Sequence, residues 1–240
     1  EFLNFHKKLA KNMKKLVVST GAGISAESGL STYRDSNGLW NNYPVMEVAS
    51  HTGFVQNPAL IHKFYNELRH QLVKAQPNAA HFGLVELEQS YDVRVITQNV
   101  DDLHERAGSK NVLHLHGELM KMRSMRNPSH VYQLPLDNLD TDLDTRDQYG
   151  DPVRPHIVFF EEDVPNFSAA AQLAAEADIF VIIGTSLAVY PAASLLSYVR
   201  ASTPVYYIDP RPVGTWRTDI VEIAKPATTG IRDLISMLQP

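Results

Sequence analysis

The 240-residue chain contains no cysteine, which removes disulfides, a thiol nucleophile and thiolate zinc ligands from consideration. It also lacks any apolar run near the ~20 residues that span a bilayer, and no charged-then-apolar leader opens it. These absences lead to the expectation of a cytoplasmic protein with no membrane contact. Nor is there a broad basic excess: the net charge is -5 and the pI near 6.1, which argues against binding nucleic acid through a positive surface. The one basic cluster, Lys7, Lys8, Lys11, Lys14 and Lys15, has helical spacing and reads as the solvated face of a first helix. No low-complexity tract and no internal repeat is visible. With 44% hydrophobic and 20% charged residues, the chain is expected to fold throughout.

What is present is a series of short apolar, β-branched runs at 16–19, 93–97, 112–115, 157–160, 179–183 and 205–208. Such continuous runs suit strands buried on both faces of a parallel sheet. Helix-like stretches at 79–89 and 168–177 lie between them, as β-α alternation requires. The pattern predicts an α/β fold, a Rossmann-like doubly wound parallel sheet. Two segments interrupt it, and neither contains a convincing buried strand. One, 39–76, holds a helix-like stretch at 58–73 after the start signal Asn57-Pro58; the other, 120–155, is polar, with an acidic stretch at 137–147. The expected organisation is a sheet domain of residues 1–38, 77–119 and 156–240, with a small lobe formed by the two inserts 39–76 and 120–155.

The first strand runs into Gly21-Ala22-Gly23-Ile24-Ser25-Ala26. This fits the relaxed fingerprint G-x-G-x-x-G/A, in which small residues admit a pyrophosphate to the backbone beside a helix N-terminus; it also fits a plain tight turn. A dehydrogenase would place an acid about twenty residues on, at the end of the second strand. Glu47 lies near that spacing but follows no strand, which disfavours hydride transfer. Other strand ends carry Gln98, Asn99, Asp101, Asp102 and His104, then His116-Gly117, then Gly184-Thr185-Ser186, whose hydroxyls suit phosphate or ribose oxygens. Turns call for Gly, Asn or Asp but not for His or Gln, so these polar ends are expected to converge on one ligand. A Ser25-His116-Asp101 hydrolase is disfavoured because the G-x-S-x-G elbow is missing. His114 and His116 share a strand face without a further credible ligand, so no metal site is expected.

Four stretches, Gly21-Ala-Gly-Ile-Ser-Ala-Glu-Ser-Gly-Leu-Ser-Thr-Tyr-Arg34, Thr97-Gln-Asn-Val-Asp-Asp-Leu-His104, Leu115-His-Gly-Glu-Leu119 and Gly184-Thr-Ser-Leu-Ala-Val-Tyr-Pro191, resemble in order and spacing the signature motifs of the sirtuin family. The resemblance covers about residues 16–240. It implies an enzyme that consumes NAD, moves the acyl group of a modified lysine to ADP-ribose and releases nicotinamide. By motif, Gly21, Ala22, Gly23, Ser25, Tyr33 and Arg34 would hold NAD phosphates and the nicotinamide-ribose, with Asp35 in a loop above them. Gln98, Asn99 and Asp101 would surround the nicotinamide end, and His116 would be the general base. Asp209 falls in the later adenosine-contacting motif, and adenine contacts would lie near Thr228, Thr229 and Ile231. The implied partner is an acyl-lysine protein or peptide, pairing by strand addition with Ile157, Val158 and the 184–189 stretch, which includes Val189. Tyr65, Phe160 and Ile24 would line its acyl group. The protein is expected to be a monomer or weak oligomer.

Three departures bear on this transfer. Where the family carries zinc-binding cysteines this chain has Met120-Lys-Met-Arg-Ser-Met-Arg-Asn127, so no zinc is expected. Glu161 occupies a position where the family has glycine, and Tyr207 one where it has asparagine. In the branch that removes succinyl and malonyl groups a Tyr and an Arg lie one helical turn apart; here Tyr65 is followed at that spacing by Leu68, and Arg69 is turned about 100° away on a helix, which implies a preference for neutral acyl groups. Two alternatives stay open: net NAD hydrolysis or ADP-ribosyl transfer from the same activated ribose, and a catalytically silent NAD or ADP-ribose sensor.

Overall fold

In the computed structural model, residues 13–30 and 42–239 are described. Strand β1 (Lys15–Thr20) is followed by two 3-10 turns, Ala22–Ile24 and Ala26–Ser28. Helices α1 (Val45–Val48), α2 (His51–Gln56), α3 (Pro58–Leu72) and α4 (Ala79–Leu87) precede β2 (Asp92–Thr97), α5 (Leu103–Ala107) and β3 (Val112–His114). Strands β4 (Gly117–Ser124), β5 (Val131–Gln133) and β6 (Val153–Ile157) come next. The chain ends with α6 (Phe167–Glu176), β7 (Ile179–Ile183), a 3-10 stretch Ala192–Tyr198, β8 (Val205–Ile208), β9 (Ile220–Ile223) and α7 (Ala227–Leu238).

Six strands form a parallel sheet in the order β3-β2-β1-β7-β8-β9. Alternate residues of each central strand face opposite cores. Leu16 and Val18 of β1 pack with α4 and α7, while Val17 packs with α6 and the 192–198 stretch. Helices therefore cover both faces, which is why these strands read as unbroken apolar runs. The chain runs from β1 outward through β2 and β3, then returns to β7 on the other side of β1. That reversal between β1 and β7 opens a crevice at the carboxyl ends of the strands, the usual ligand position in such sheets.

Local signals start the helices where the sequence places them. Asn57 accepts the Leu60 N–H at 3.1 Å ahead of Pro58, and Ser50 accepts the Gly53 N–H at 2.9 Å. Asn78 accepts the Ala80 N–H while its own N–H donates to His81 Nδ1, so both ends of the cap are satisfied.

Three expectations are corrected. The run 157–160 is no strand of the parallel sheet: β6 ends at Ile157 and pairs antiparallel with β4, in a separate sheet of order β5-β4-β6. Its apolar character comes instead from a third core, where Ile157 and Phe159 meet Phe54, Ile61, Phe64 and Tyr65 of α2 and α3. The second insert is likewise not strandless, since β5 and most of β4 and β6 lie in it; Lys121 and Arg123 on the less buried side of β4 hide its alternation. Finally, no helix follows the first Gly-rich turn within 21–30, only the two 3-10 turns.

Glu161 has φ +74°, the left-handed region that favours glycine. Its carboxylate accepts the Thr52 N–H at 2.8 Å in the first turn of α2, so the side chain gives back part of what its backbone costs. Glu161→Ala keeps the strain and loses that bond, whereas Glu161→Gly loses both. In thermal melts the Gly variant should unfold about 2–4 °C above the Ala variant; an Ala variant equal to or above Gly would mean that the backbone there is unstrained.

Candidate active site

The register Thr20↔Thr97 and Thr20↔Ile183 brings the ends of β1, β2 and β7 level. Three loops therefore leave the sheet side by side. Gly21 N–H donates to Ile183 O at 3.0 Å and Gly23 N–H to Gly184 O at 2.8 Å. A Cβ on Gly23 would lie 2.6 Å from Gly184 Cα, and one on Gly21 2.8 Å from Gly184 O. The three glycines thus fit the first loop against the β7 loop, backbone to backbone. Their close approach here is to each other, and the N–H groups of Gly21, Gly23, Ile24 and Ser25 all bond within the protein. Tyr33, Arg34 and Asp35 lie outside the described residues.

Around this crevice a polar network is held with little exposure. Thr97 Oγ1 accepts the Asn99 N–H at 3.0 Å, turning the chain so that Asn99 Nδ2 donates to Ser25 Oγ at 3.2 Å. Ser25 Oγ donates in turn to Asp101 Oδ2 at 2.9 Å, and Leu103 N–H donates to Asp101 Oδ1 at 3.1 Å. Asn99, Ser25 and Asp101 are all buried. Burial raises the Asp101 carboxyl above its ordinary range, against the pull of the Leu103 N–H, the Ser25 hydroxyl and the nearby His114 charge. Gln98 Nε2 reaches Thr185 Oγ1 at 3.2 Å, linking the β2 and β7 loops.

His116 stands at the start of β4 with Nδ1 3.0 Å from Gln98 O. A carbonyl only accepts, so the hydrogen sits on Nδ1 and Nε2 keeps its lone pair. Burial pulls its pKa below the usual imidazole value, the Gln98 carbonyl opposing in part. The ring is therefore a neutral base of fixed tautomer. Asp102 leads into α5 and lies 3.6 Å from Arg106; His104 is fully buried against Thr20, 3.1 Å away, and His81. Asp102 stands outside the network, whereas His104 supports it from below, since Thr20 Oγ1 donates to Thr97 Oγ1 at 2.9 Å.

At the other sequence-predicted positions, Ala22 and Ser186 are half-buried on the loops after β1 and β7. Asp209 caps the loop after β8 by accepting the Arg211 N–H at 2.8 Å. The Tyr207 hydroxyl donates to Thr185 O at 2.7 Å, bracing the β7 loop from below. Thr228 bonds the Glu27 carboxylate, and Ile231 is buried in the sheet core. Tyr65 is buried with its ring 5.9 Å from Phe159 and 5.2 Å from Phe64. Ile24 belongs to the sheet core. Phe160, in contrast, is 38% exposed, with its backbone bonded to Ala49 and His51. The inward-facing ring is Phe159, which sequence reasoning missed; alternation within 157–160 was the available signal. It lies 4.0 Å beneath the Arg154 guanidinium, which pairs with Glu162. Val158 N–H donates to His116 O, joining β6 to the base, and β6 is an edge strand of its sheet. Val189 is half-buried and accepts the Ala193 N–H.

Arg69, one helical turn after Tyr65, is fully buried and commits its donors to Leu119 O at 3.0 Å, Asn66 Oδ1 at 2.7 Å and Leu139 O at 3.2 Å. Leu68 packs at the margin of the apolar cluster that holds Tyr65. Among the described residues no group of three or more His, Cys, Asp or Glu is placed to hold a metal, and no helix is long and apolar enough to cross a membrane.

The Sir2 family model matches residues 21–191. An NAD-dependent protein deacylase of Bacteroides thetaiotaomicron is 49% identical over 232 residues, which cover 95% of this chain and 99% of that protein. One of Helicobacter pylori is 47% identical over 229 residues, covering 94% and 98%. Among solved structures, a Sir2 homolog–NAD complex superposes with a TM-score of 0.82 at 36% identity, covering 97% of this chain and 95% of that one. A mutant Sir2 homologue in complex with ADP ribose gives 0.80 at 34% identity, covering 97% and 98%. These matches agree with the sheet topology and with the polar crevice at its switch point: the chain belongs to the Sir2 family.

Proposed function

We propose that the chain is an NAD-dependent protein-lysine deacylase that prefers neutral acyl groups. The observation that carries this reading is the pairing, at one sheet edge, of the buried Asn99–Ser25–Asp101 network with a neutral His116 of fixed tautomer; a protein that only binds NAD has no use for the base. The crevice suits NAD, because small residues, hydroxyls and amides converge where the strand order reverses. NAD would supply the ribose carbon that accepts the acyl group as nicotinamide departs.

The roles of the chain's own residues follow from their chemistry. Gly21, Ala22, Gly23 and Ser25, with Gln98, Gly184, Thr185 and Ser186, shape the NAD crevice. Asn99 and Asp101 orient the ribose and balance developing positive charge in a site with little water. His116 Nε2 takes a proton from a ribose hydroxyl. The acyl-lysine peptide adds to the edge strand β6 beside Ile157 and Val158, with Val189 across the gap and Tyr65 and Phe160 near the acyl chain. On this reading the small lobe keeps the boundaries 39–76 and 120–155, β4 and β6 being the strands that enter and leave its second part. Leu68, with Arg69 committed elsewhere, leaves an acyl carboxylate unpaired in an apolar surrounding, which is costly.

Purified protein should release nicotinamide from NAD only when an acyl peptide is present. Acetyl-, butyryl- and myristoyl-lysine should exceed succinyl-lysine in kcat/KM by about 100-fold, the effect of a few kcal/mol. With no thiolate in the chain, EDTA should leave the rate unchanged. Peptide-independent release would move the function to NAD hydrolysis, and NAD binding without release to a silent sensor.

A further inference from the structure

His114 ends β3 two residues before His116, and it is 9% exposed. Its Nδ1 lies 3.0 Å from Asn99 O and its Nε2 2.8 Å from Glu105 Oε1 on α5. The two histidines therefore hold two successive carbonyls of the same loop, His116 that of Gln98 and His114 that of Asn99. Their hydrogen-bond partners differ in one respect. His116 faces one acceptor, whereas His114 faces two, a carbonyl and a carboxylate, neither of which has a hydrogen to give when Glu105 is ionised. A neutral imidazole has only one N–H, so it satisfies His116 but leaves one bond of His114 repulsive.

We propose that His114, held as an imidazolium by Glu105, is a positioning residue that fixes the Asn99 backbone, and through it the Asn99 amide and Asp101, for the deacylation proposed above. Loss of its proton sets a lone pair against either Asn99 O or the Glu105 carboxylate and loosens the loop. The proposal rests on the deacylase reading for its kinetic consequence but not for the state of the ring. Burial alone would lower the His114 pKa; the Glu105 bond and charge, the Asn99 carbonyl and Glu118 outweigh it, so the net direction is upward. The other charged or titratable groups facing this pair are His104 of α5, the buried Asp101, and Lys121 of β4, which is bonded to Glu118.

The sign follows directly. The imidazolium persists above the ordinary 6.5 and is lost as pH rises through the raised value, so the rate should fall on the alkaline side. Glu105→Gln separates charge from shape, because a glutamine amide can donate to Nε2 of a neutral ring whose Nδ1–H still serves Asn99 O. Glu105 is 40% exposed, so this variant is expected to fold.

The test is a nitrogen NMR titration of His114 in wild type and Glu105→Gln, without NAD or peptide, alongside kcat and KM for nicotinamide release against pH. The proposal expects both His114 nitrogens protonated at pH 6.5 in wild type and titrating together at a midpoint above it, with the Asn99 and Val100 backbone signals moving at the same midpoint as the ring and as the alkaline fall in kcat. In Glu105→Gln the ring should be neutral at the same pH, kcat there within about twofold, KM for NAD unchanged, and the alkaline fall gone. A wild-type His114 already neutral at that pH, or a Glu105→Gln profile that superposes on wild type, overturns it. If wild type releases no nicotinamide, the functional reading fails, while the ring and backbone signals still decide whether Glu105 holds an imidazolium that sets the Asn99 loop.

Discussion

His116→Ala should lower peptide-dependent turnover by about 10²–10⁴-fold while leaving NAD affinity within about twofold. The reason for so selective a loss is that the ring's hydrogen bond goes to Gln98 O, a single bond whose loss costs about 1 kcal/mol, so the fold and the Asn99–Ser25–Asp101 network remain. What disappears is, among the described residues, the neutral imidazole that faces the crevice as a base near neutral pH. Its pKa is held below 6.5 by burial, and catalysis needs the neutral ring. Wild-type kcat should therefore be flat around pH 7 and decline as pH falls through that lowered value, whereas the variant's residual rate should lack this acid limb. The measurement is nicotinamide release and deacylated peptide across pH 5–9 for both proteins. An acid limb that survives in His116→Ala would assign the base elsewhere.

Why some of this was legible in the sequence and some not has a physical basis. The strands of the parallel sheet are covered on both faces, so Val93 to Thr97 and Ile179 to Ile183 show as unbroken apolar runs. The same rule misleads at 157–160, where Ile157 and Phe159 fill one core while Val158 and Phe160 are more exposed; four apolar residues in a row look the same in either sheet. Strand β4 escaped notice because its alternation is carried by Met120 and Met122 against Lys121 and Arg123, a weak contrast. At the site, Gln98 and His116 stood out because a turn needs neither. The left-handed backbone at Glu161 was legible as well, from a missing glycine. The sequence shows His114 only as sharing a strand face with His116, whereas its charge state depends on Glu105, which reaches it from another element. Asn99 O, Gln98 O and the carbonyls bound by Arg69 belong to the backbone and leave no mark on side-chain identity. Hydrogen bonds to such groups can be placed only once the fold is known.

Arg69→Ala should destabilise the protein by about 2–5 kcal/mol, the range for a large-to-small change that leaves a cavity and buried carbonyls without a donor. Its guanidinium joins α3 to β4 through Leu119 O, to the 139–141 segment through Leu139 O and Thr141 Oγ1, and to Met122 Sδ within the small sheet. Burial pulls its pKa down to about 10, still far above neutral, so the charge is present in the folded lobe. In a chain with no cysteine to bind zinc, this planar fork ties three separate segments of the lobe together. Truncation leaves Leu119 O and Leu139 O without their donor and opens a cavity; both effects are costly in a packed interior. Lysine keeps the charge but not the fork, and Arg69→Lys should fall between wild type and Ala. The damage should also reach the site, because Leu119 N–H donates to Val100 O between Asn99 and Asp101. Urea unfolding measures the first effect, and kcat for an acetyl-lysine peptide at saturating NAD measures the second in whichever variant remains folded. An Ala variant within about 0.5 kcal/mol of wild type, the ordinary surface range, would mean that the apolar cluster around Phe64 and Phe159 holds the lobe without the arginine.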